Sequence, residues 1–178
     1  AFQITGRPQY AQIARETVEY VLREMTQPQG GFYSTQDADS EGVEGKFYAW
    51  SLTEVEQLLG ADAPAFCEHF GITREGTFEH GTSVLHATKP MATEPAQRAL
   101  LQRGMDRLLT ERSTRIRPMR DEKILTSWNG LMIGALARSG MVLRDRSLVE
   151  DAARAASFVW QELRDPKRGL LRRWCDGE

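Results

Sequence analysis

Four carboxylates, Asp37, Asp39, Glu41 and Glu44, fall within the Gly-punctuated stretch Asp37-Ala38-Asp39-Ser40-Glu41-Gly42-Val43-Glu44-Gly45. Charges packed this densely repel one another, so solvent, a cation or basic side chains must offset them. Two readings are open. Oxygen ligands at the first, third and fifth positions, with Gly at the sixth, match the start of a calcium loop. The twelfth position, where a bidentate Glu belongs, is instead Tyr48, which ranks calcium behind the alternative. The other reading needs no ligand: Asp side chains cap local backbone N–H groups in a turn. No metal or other cofactor is expected.

A second stretch, Asp121-Glu122-Lys123-Ile124-Leu125-Thr126-Ser127-Trp128-Asn129-Gly130, joins a cation to an amide at the start of a helical pattern. Thr126 or Ser127 is expected to cap that helix, whose free N–H groups can receive an anionic or hydroxyl-rich ligand. Lys123 and Asn129 are not required by packing, whereas Trp128, in phase with Leu131, Met132 and Ala135, is expected on the buried face. Tyr33, Tyr48, Trp50, Trp128 and Trp174 lie near helix ends, where rings suit sugar faces and core-rim packing alike. The candidates are therefore Asp37, Asp39, Glu44 and Lys123 for catalysis, and Glu41, Trp50, Asn129 and Trp128 for substrate contact. His69, His80 and His86 lack metal-ligand spacing and read as surface or hydrogen-bonded residues.

These residues must be held by helices. Apolar positions Tyr10, Ile13, Ala14, Val18, Val21, Leu22 and Met25 follow the helical period between Pro8 and Pro28-Gln29-Gly30-Gly31. Further helices are expected from Ser51, with Glu54 completing a capping box, to Gly60; from Asp62 to Gly71; and from Thr93 to Arg112. Two more run from Thr126 or Ser127 to Ser139, and from a capping box at Ser147 and Glu150 to Leu163. Lys46 to Trp50 reads as extended, and Arg112, Arg115, Arg117 and Arg120 as a solvated connector. One motif occurs twice at an offset of 138 residues: Tyr20, Val21, Glu24, Met25, Pro28, Gly31 and Phe32 fall on Phe158, Val159, Glu162, Leu163, Pro166, Gly169 and Leu170. Each copy is a helix end, a Pro-containing turn and a short apolar strand, the mark of stacked helical hairpins. The sum is an all-α array with extended residues just after helices.

A net charge of −2 gives no general attraction to nucleic acid or anionic lipid. No apolar stretch is long enough to span a bilayer, so neither a membrane nor a nucleic acid is expected as partner. Cys67 and Cys175 form no C-x-x-C pair and read as reduced thiols of a cytoplasmic protein. Both chain ends read as cut, and the unfinished apolar flanks of such a piece would meet missing segments or a second copy.

Two blocks carry a family resemblance: Gly30 through Gly42 with Glu44 through Trp50, and Arg117-Pro118 with Asp121 through Ile133. Trp174-Cys175-Asp176-Gly177-Glu178 adds a third. Together they resemble the thioredoxin-domain-containing proteins of the spermatogenesis-associated family. The resemblance implies that residues 1–178 form part of one α/α toroid domain, a six-hairpin fold similar to N-acylglucosamine 2-epimerases and glycosidases. An upstream thioredoxin-like domain and the remaining hairpins would then lie outside this chain. It also implies a carbohydrate ligand in a central funnel faced by Asp37, Asp39, Glu41, Glu44, Lys123, Asn129 and Trp50, for binding, hydrolysis or isomerisation. Epimerases of that fold use paired histidines, which the long helices here lack. A non-catalytic structural or interaction module remains the alternative.

Overall fold

The computed structural model describes residues 1–90 and 94–175. It is mostly helical: α1 (Phe2–Thr5), α2 (Pro8–Glu24), α3 (Leu52–Leu59), α4 (Ala63–Phe70), α5 (Pro95–Arg112), α6 (Thr126–Leu143) and α7 (Arg146–Glu162). The strands have two residues each: β1 (Thr35–Gln36), β2 (Asp39–Ser40), β3 (Val43–Glu44), β4 (Arg120–Asp121), β5 (Ile124–Leu125), β6 (Arg164–Asp165), β7 (Gly169–Leu170) and β8 (Arg173–Trp174). Among the described residues they pair only in twos, all antiparallel: β1–β4, β2–β3, β5–β8 and β6–β7. No described helix is long and apolar enough to cross a membrane. The chain divides into two units, residues 1–36 with 120–178, and residues 37–119.

In the first unit α6 and α7 form a helical hairpin turned by Arg144, in the left-handed region at φ 53°, and by Asp145, the N-cap of α7. Close approach is possible because residue 140 is Gly; a Cβ there would lie 2.6 Å from the Val149 side chain. Val18 of α2, Leu136 of α6 and Leu148, Ala152 and Ala155 of α7 bury one core with Phe32. Ile124, Phe158 and Leu163 bury a second, against which Tyr33, Val159 and Trp174 pack.

The internal repeat is a repeat of hydrogen bonds. Met25 ends α2 with its N–H on Val21 O, and Leu163 ends α7 with its N–H on Val159 O. The bridge Thr26–Phe32 recurs as Arg164–Leu170. Tyr33 N–H donates to Met25 O, as Leu171 N–H does to Leu163 O. In each turn a side-chain oxygen, Gln27 Oε1 or Asp165 Oδ1, accepts the N–H two residues on. Beyond the corners, β1 pairs with β4 and β8 with β5, so both copies add a strand to residues 120–125, just before α6.

The second unit packs α3, α4 and α5 around Trp50, Val55, Phe66, Phe70, Leu101 and Leu108. Ser51 forms the expected capping box: its hydroxyl accepts Glu54 N–H at 3.2 Å while Glu54 accepts Ser51 N–H at 2.8 Å. Other expected caps are not made. Asp62 ion-pairs with Arg103 instead of capping α4. Asp145 rather than Ser147 caps α7, which puts Glu150 a full turn inside, paired with Arg146. Thr126 spends its hydroxyl on Leu171 O, so α6 has no side-chain cap. Glu94 caps α5 by accepting Gln97 N–H at 2.7 Å, and Thr93 lies outside the described residues. Residues 46–48 form a turn rather than a strand, and only Trp50 is bridged, to Ser83.

Gly31 supplies a direct test of the corner. A Cβ at this position would sit 2.7 Å from Ile124 Cδ1 and 2.7 Å from Phe158 Cε1, both buried. Gly31→Ala is expected to lower stability by about 1–3 kcal/mol in urea denaturation. Gly130→Ala, where the added methyl meets nothing within 4 Å on a helix, is expected to raise it by about 0.5–1 kcal/mol.

Candidate functional site

The acidic stretch folds as a hairpin. Ser40 pairs with Val43 across a two-residue turn in which Glu41 (φ 55°) and Gly42 (φ 75°) both adopt positive φ, as a type I′ turn requires. Asp37 Oδ1 accepts Asp39 N–H at 3.3 Å, the local capping that Asp favours in turns. Ser40 is buried and donates to Ile116 O at 2.6 Å. A hairpin does not wrap its side chains around a centre, and among the described residues no three His, Cys, Asp or Glu groups gather as metal ligands. Asp39 and Glu44 instead face each other across β2–β3, a repulsive cross-strand pair.

This hairpin borders a cleft of about 400 Å³ in the second unit. Glu41, Glu44, Glu54 and Glu79 stand on its rim with Lys46 and Arg115, and Phe47 and Phe78 form apolar walls. Glu41 pairs with Lys46 at 2.7 Å and Glu54 with Arg115 at 3.2 Å. Glu44 carries no ion pair among the described residues.

The arginine run is a clasp, not a solvated connector. Arg115 places Nη1 within 3.2 Å of Lys46 O, 3.1 Å of Phe47 O and 2.8 Å of Ala49 O. Its guanidinium lies 3.8 Å from the Trp50 ring centroid, and the Arg112 and Arg117 guanidinium groups lie over Phe47 at 5.5 and 5.6 Å. Trp50, expected at a sugar-binding rim, is 2% exposed beneath this layer. Arg120, in the first unit, does likewise: it donates to Glu24 O at 2.8 Å and stacks 4.0 Å over Tyr33.

The Lys123–Asn129 stretch belongs to the first unit, and the structure reverses the burial expected there. Trp128 is 49% exposed and Asn129 is 1% exposed. Asn129 Oδ1 accepts Phe32 N–H at 2.8 Å, while Nδ2 donates to Phe32 O and Leu125 O, each at 3.0 Å. The side-chain amide thus behaves as a strand neighbour for Phe32, holding the first corner on α6. Helical phase misplaced these two residues because Asn129 finds backbone partners that no periodicity encodes.

Lys123 Nζ pairs with Asp121 Oδ2 at 3.1 Å, and Lys123 N–H donates to Asp121 Oδ1 at 3.2 Å. The Lys123 side chain, followed by that backbone N–H, holds the Asp121 carboxyl below its usual range. Lys123 and Trp128 line a second cleft of about 500 Å³ with Ser34, Thr35, Arg172 and Arg173. Burial pushes the Cys67 thiol up.

The chain is similar to spermatogenesis-associated protein 20. It is 33% identical to that protein of Mus musculus and 32% identical to that of Homo sapiens, each over 208 residues covering 98% of this chain and 26% of the relative. An uncharacterized protein of Caenorhabditis elegans is 28% identical over 85% of this chain. The chain spans about a quarter of the length of these curated relatives. No family model matches it.

Two measurements check these assignments. Asn129→Ala leaves Phe32 N–H and two carbonyls without their partner in a dry site, and is expected to cost about 2–4 kcal/mol in chemical denaturation. The Asp121 carboxyl, titrated by carbon-13 NMR, is expected to move up toward the ordinary carboxylate range in Lys123→Ala. Because the folded pKa is the depressed one, the stability it confers is present above the unfolded pKa and lost as pH falls through the folded value.

Proposed function

We propose that this chain is part of a carbohydrate-related α/α toroid domain whose second unit binds a neutral sugar in the cleft beside the β2–β3 hairpin. The observation that carries this reading is a carboxylate without an ion pair among the described residues, Glu44, beside aromatic walls in a cleft of about 400 Å³. Small-ligand sites have this size and this mixture of apolar lining and few polar groups. Sugar hydroxyls would donate to Glu44 and Glu41, and the C–H face of the ring would lie on Phe78. In a hydrolytic version, Glu44 of the cleft lining and Asp39, its cross-strand neighbour outside that lining, supply the two carboxyl groups, with Asp37 accepting Asp39 N–H. The likeness to spermatogenesis-associated protein 20 supports the family but carries no sugar chemistry in its name. The exposed Leu131 and Met141 of α6 support association of that helix with further hairpins or a second copy.

A non-catalytic structural module is the second reading. It is favoured by Asn129, Trp50 and Arg115, whose polar or aromatic groups are already committed to backbone and core contacts.

A panel of neutral monosaccharides titrated by amide NMR separates the two. The sugar reading predicts saturable shifts at residues 40–47 and 78–82, weakened about tenfold to a hundredfold in Glu44→Gln by loss of a charge-assisted hydrogen bond. No saturable shift from any sugar would leave the structural module. Glu44→Lys is separately expected to stabilise the fold by about 0.2–1 kcal/mol, because it converts the cross-strand repulsion with Asp39 into attraction.

A further inference from the structure

The cleft of the first unit is built by corresponding positions of the two repeat copies. At the 138-residue offset, Ser34 and Thr35 fall on Arg172 and Arg173, and all four line the same cavity of about 500 Å³. The cause is topological. Strands β1 and β8, the segments that follow the two corners, pair with β4 and β5, which lie within six residues of each other. Asp121, Lys123 and Leu125, on or between these two strands, therefore line a cavity that both copies share. Backbone and side-chain bonds lock it on each side: Ser34 Oγ donates to Asp121 O at 3.2 Å, and Thr126 N–H donates to Arg172 O at 3.1 Å.

Divergence of the copies makes the walls chemically unlike. One offers the hydroxyl oxygens of Ser34 and Thr35. The other offers two guanidinium groups with no ion pair among the described residues. Lys123 adds a third cation, offset by its pairing with the one lining carboxylate, Asp121. The cleft thus carries an excess of two positive charges in a chain whose net charge is −2. Trp128, about half exposed, completes the lining with an indole that has no ring or cation partner among the described residues.

We infer that this cleft binds a phosphorylated sugar, with the phosphate held by Arg172 and Arg173, the ring on Trp128 and a hydroxyl on the Ser34–Thr35 wall. Guanidinium forks match phosphate oxygens in pairs, and an indole face accepts the C–H face of a pyranose. The inference stands apart from the sugar reading of the other cleft, because the two are lined by different residues and report on different amides.

Amide and indole NMR of the whole 178-residue chain, titrated with glucose 6-phosphate, glucose and inorganic phosphate in parallel, tests it. Glucose 6-phosphate is expected to shift residues 34–35, 121–128 and 172–173 and the Trp128 indole N–H saturably, more tightly than either other probe and less so as salt rises. The double variant Arg172→Glu with Arg173→Glu, both exposed and so free of core packing, is expected to weaken binding about tenfold or more. Trp128→Ala is expected to erase the advantage of glucose 6-phosphate over inorganic phosphate while leaving phosphate binding intact. The inference is overturned by no saturable shift, by shifts equal for glucose 6-phosphate and inorganic phosphate (an adventitious ion only), or by undiminished binding in both variants.

Discussion

A helix that ends in a tight corner leaves backbone groups without helical partners, and a two-residue strand cannot satisfy them all. Asn129 resolves this for the first corner. Its amide presents a donor and an acceptor in the spacing of a peptide group, so Phe32 receives from a side chain what a neighbouring strand would give. The same amide reaches Leu125 O, at the mouth of its own helix. One buried residue therefore joins the end of α2 to the start of α6. An unpaired amide in that dry position would cost more than the bond contributes, so the contact acts as a constraint on where the corner sits.

The second corner reaches the same place with different chemistry. Thr126 donates its hydroxyl to Leu171 O and its N–H to Arg172 O, the positions equivalent to Tyr33 and Ser34. Both corners thus converge on the first turn of α6, which explains why Thr126 is not available as a cap and why β4 and β5 sit so close in sequence. The repeat conserves the backbone bonds at each helix end while leaving the docking side chains free to differ. This is the behaviour expected of stacked hairpins, in which each unit makes its own local bonds and its neighbours decide the rest.

Helix positions, the Ser51 capping box and the repeated corner were legible in the sequence because each depends on residues a few positions apart. The repeat was legible down to its bonds: aligning Met25 with Leu163 and Phe32 with Leu170 pairs the very groups that donate and accept. What periodicity could not provide was the destination of long-range side-chain to backbone bonds. Asn129 reaches Phe32 across 97 residues and Arg115 reaches Ala49 across 66. Neither distance leaves a mark in local composition. The hydrophobic phase of α6 consequently placed Trp128 inward and treated Asn129 as spare, the reverse of their burial. The acidic stretch, by contrast, was legible as a turn. Its Asp residues cap local backbone as a turn does, with Asp37 accepting Asp39 N–H, and Glu41 and Gly42 take the two positive-φ positions of the hairpin.

Charge in this molecule is used mainly where backbone lacks partners. Arg115 stacks on Trp50 and faces three carbonyls of the 46–49 turn; Arg120 stacks on Tyr33 and donates to the last carbonyl of α2. Arginine suits this role because its planar group is less strongly hydrated than an ammonium, presents several donors, and lies flat on a ring while its edge reaches oxygen. Lysine in the same places would lose the stacking and most of the donors. A run of four arginines in nine residues is therefore explained without nucleic acid or lipid: three serve the aromatic turn of the second unit and one serves the first corner. Arg172 and Arg173 differ from all four in that, among the described residues, no aromatic ring lies under either guanidinium. Stability explains the first group and leaves the second without a structural role.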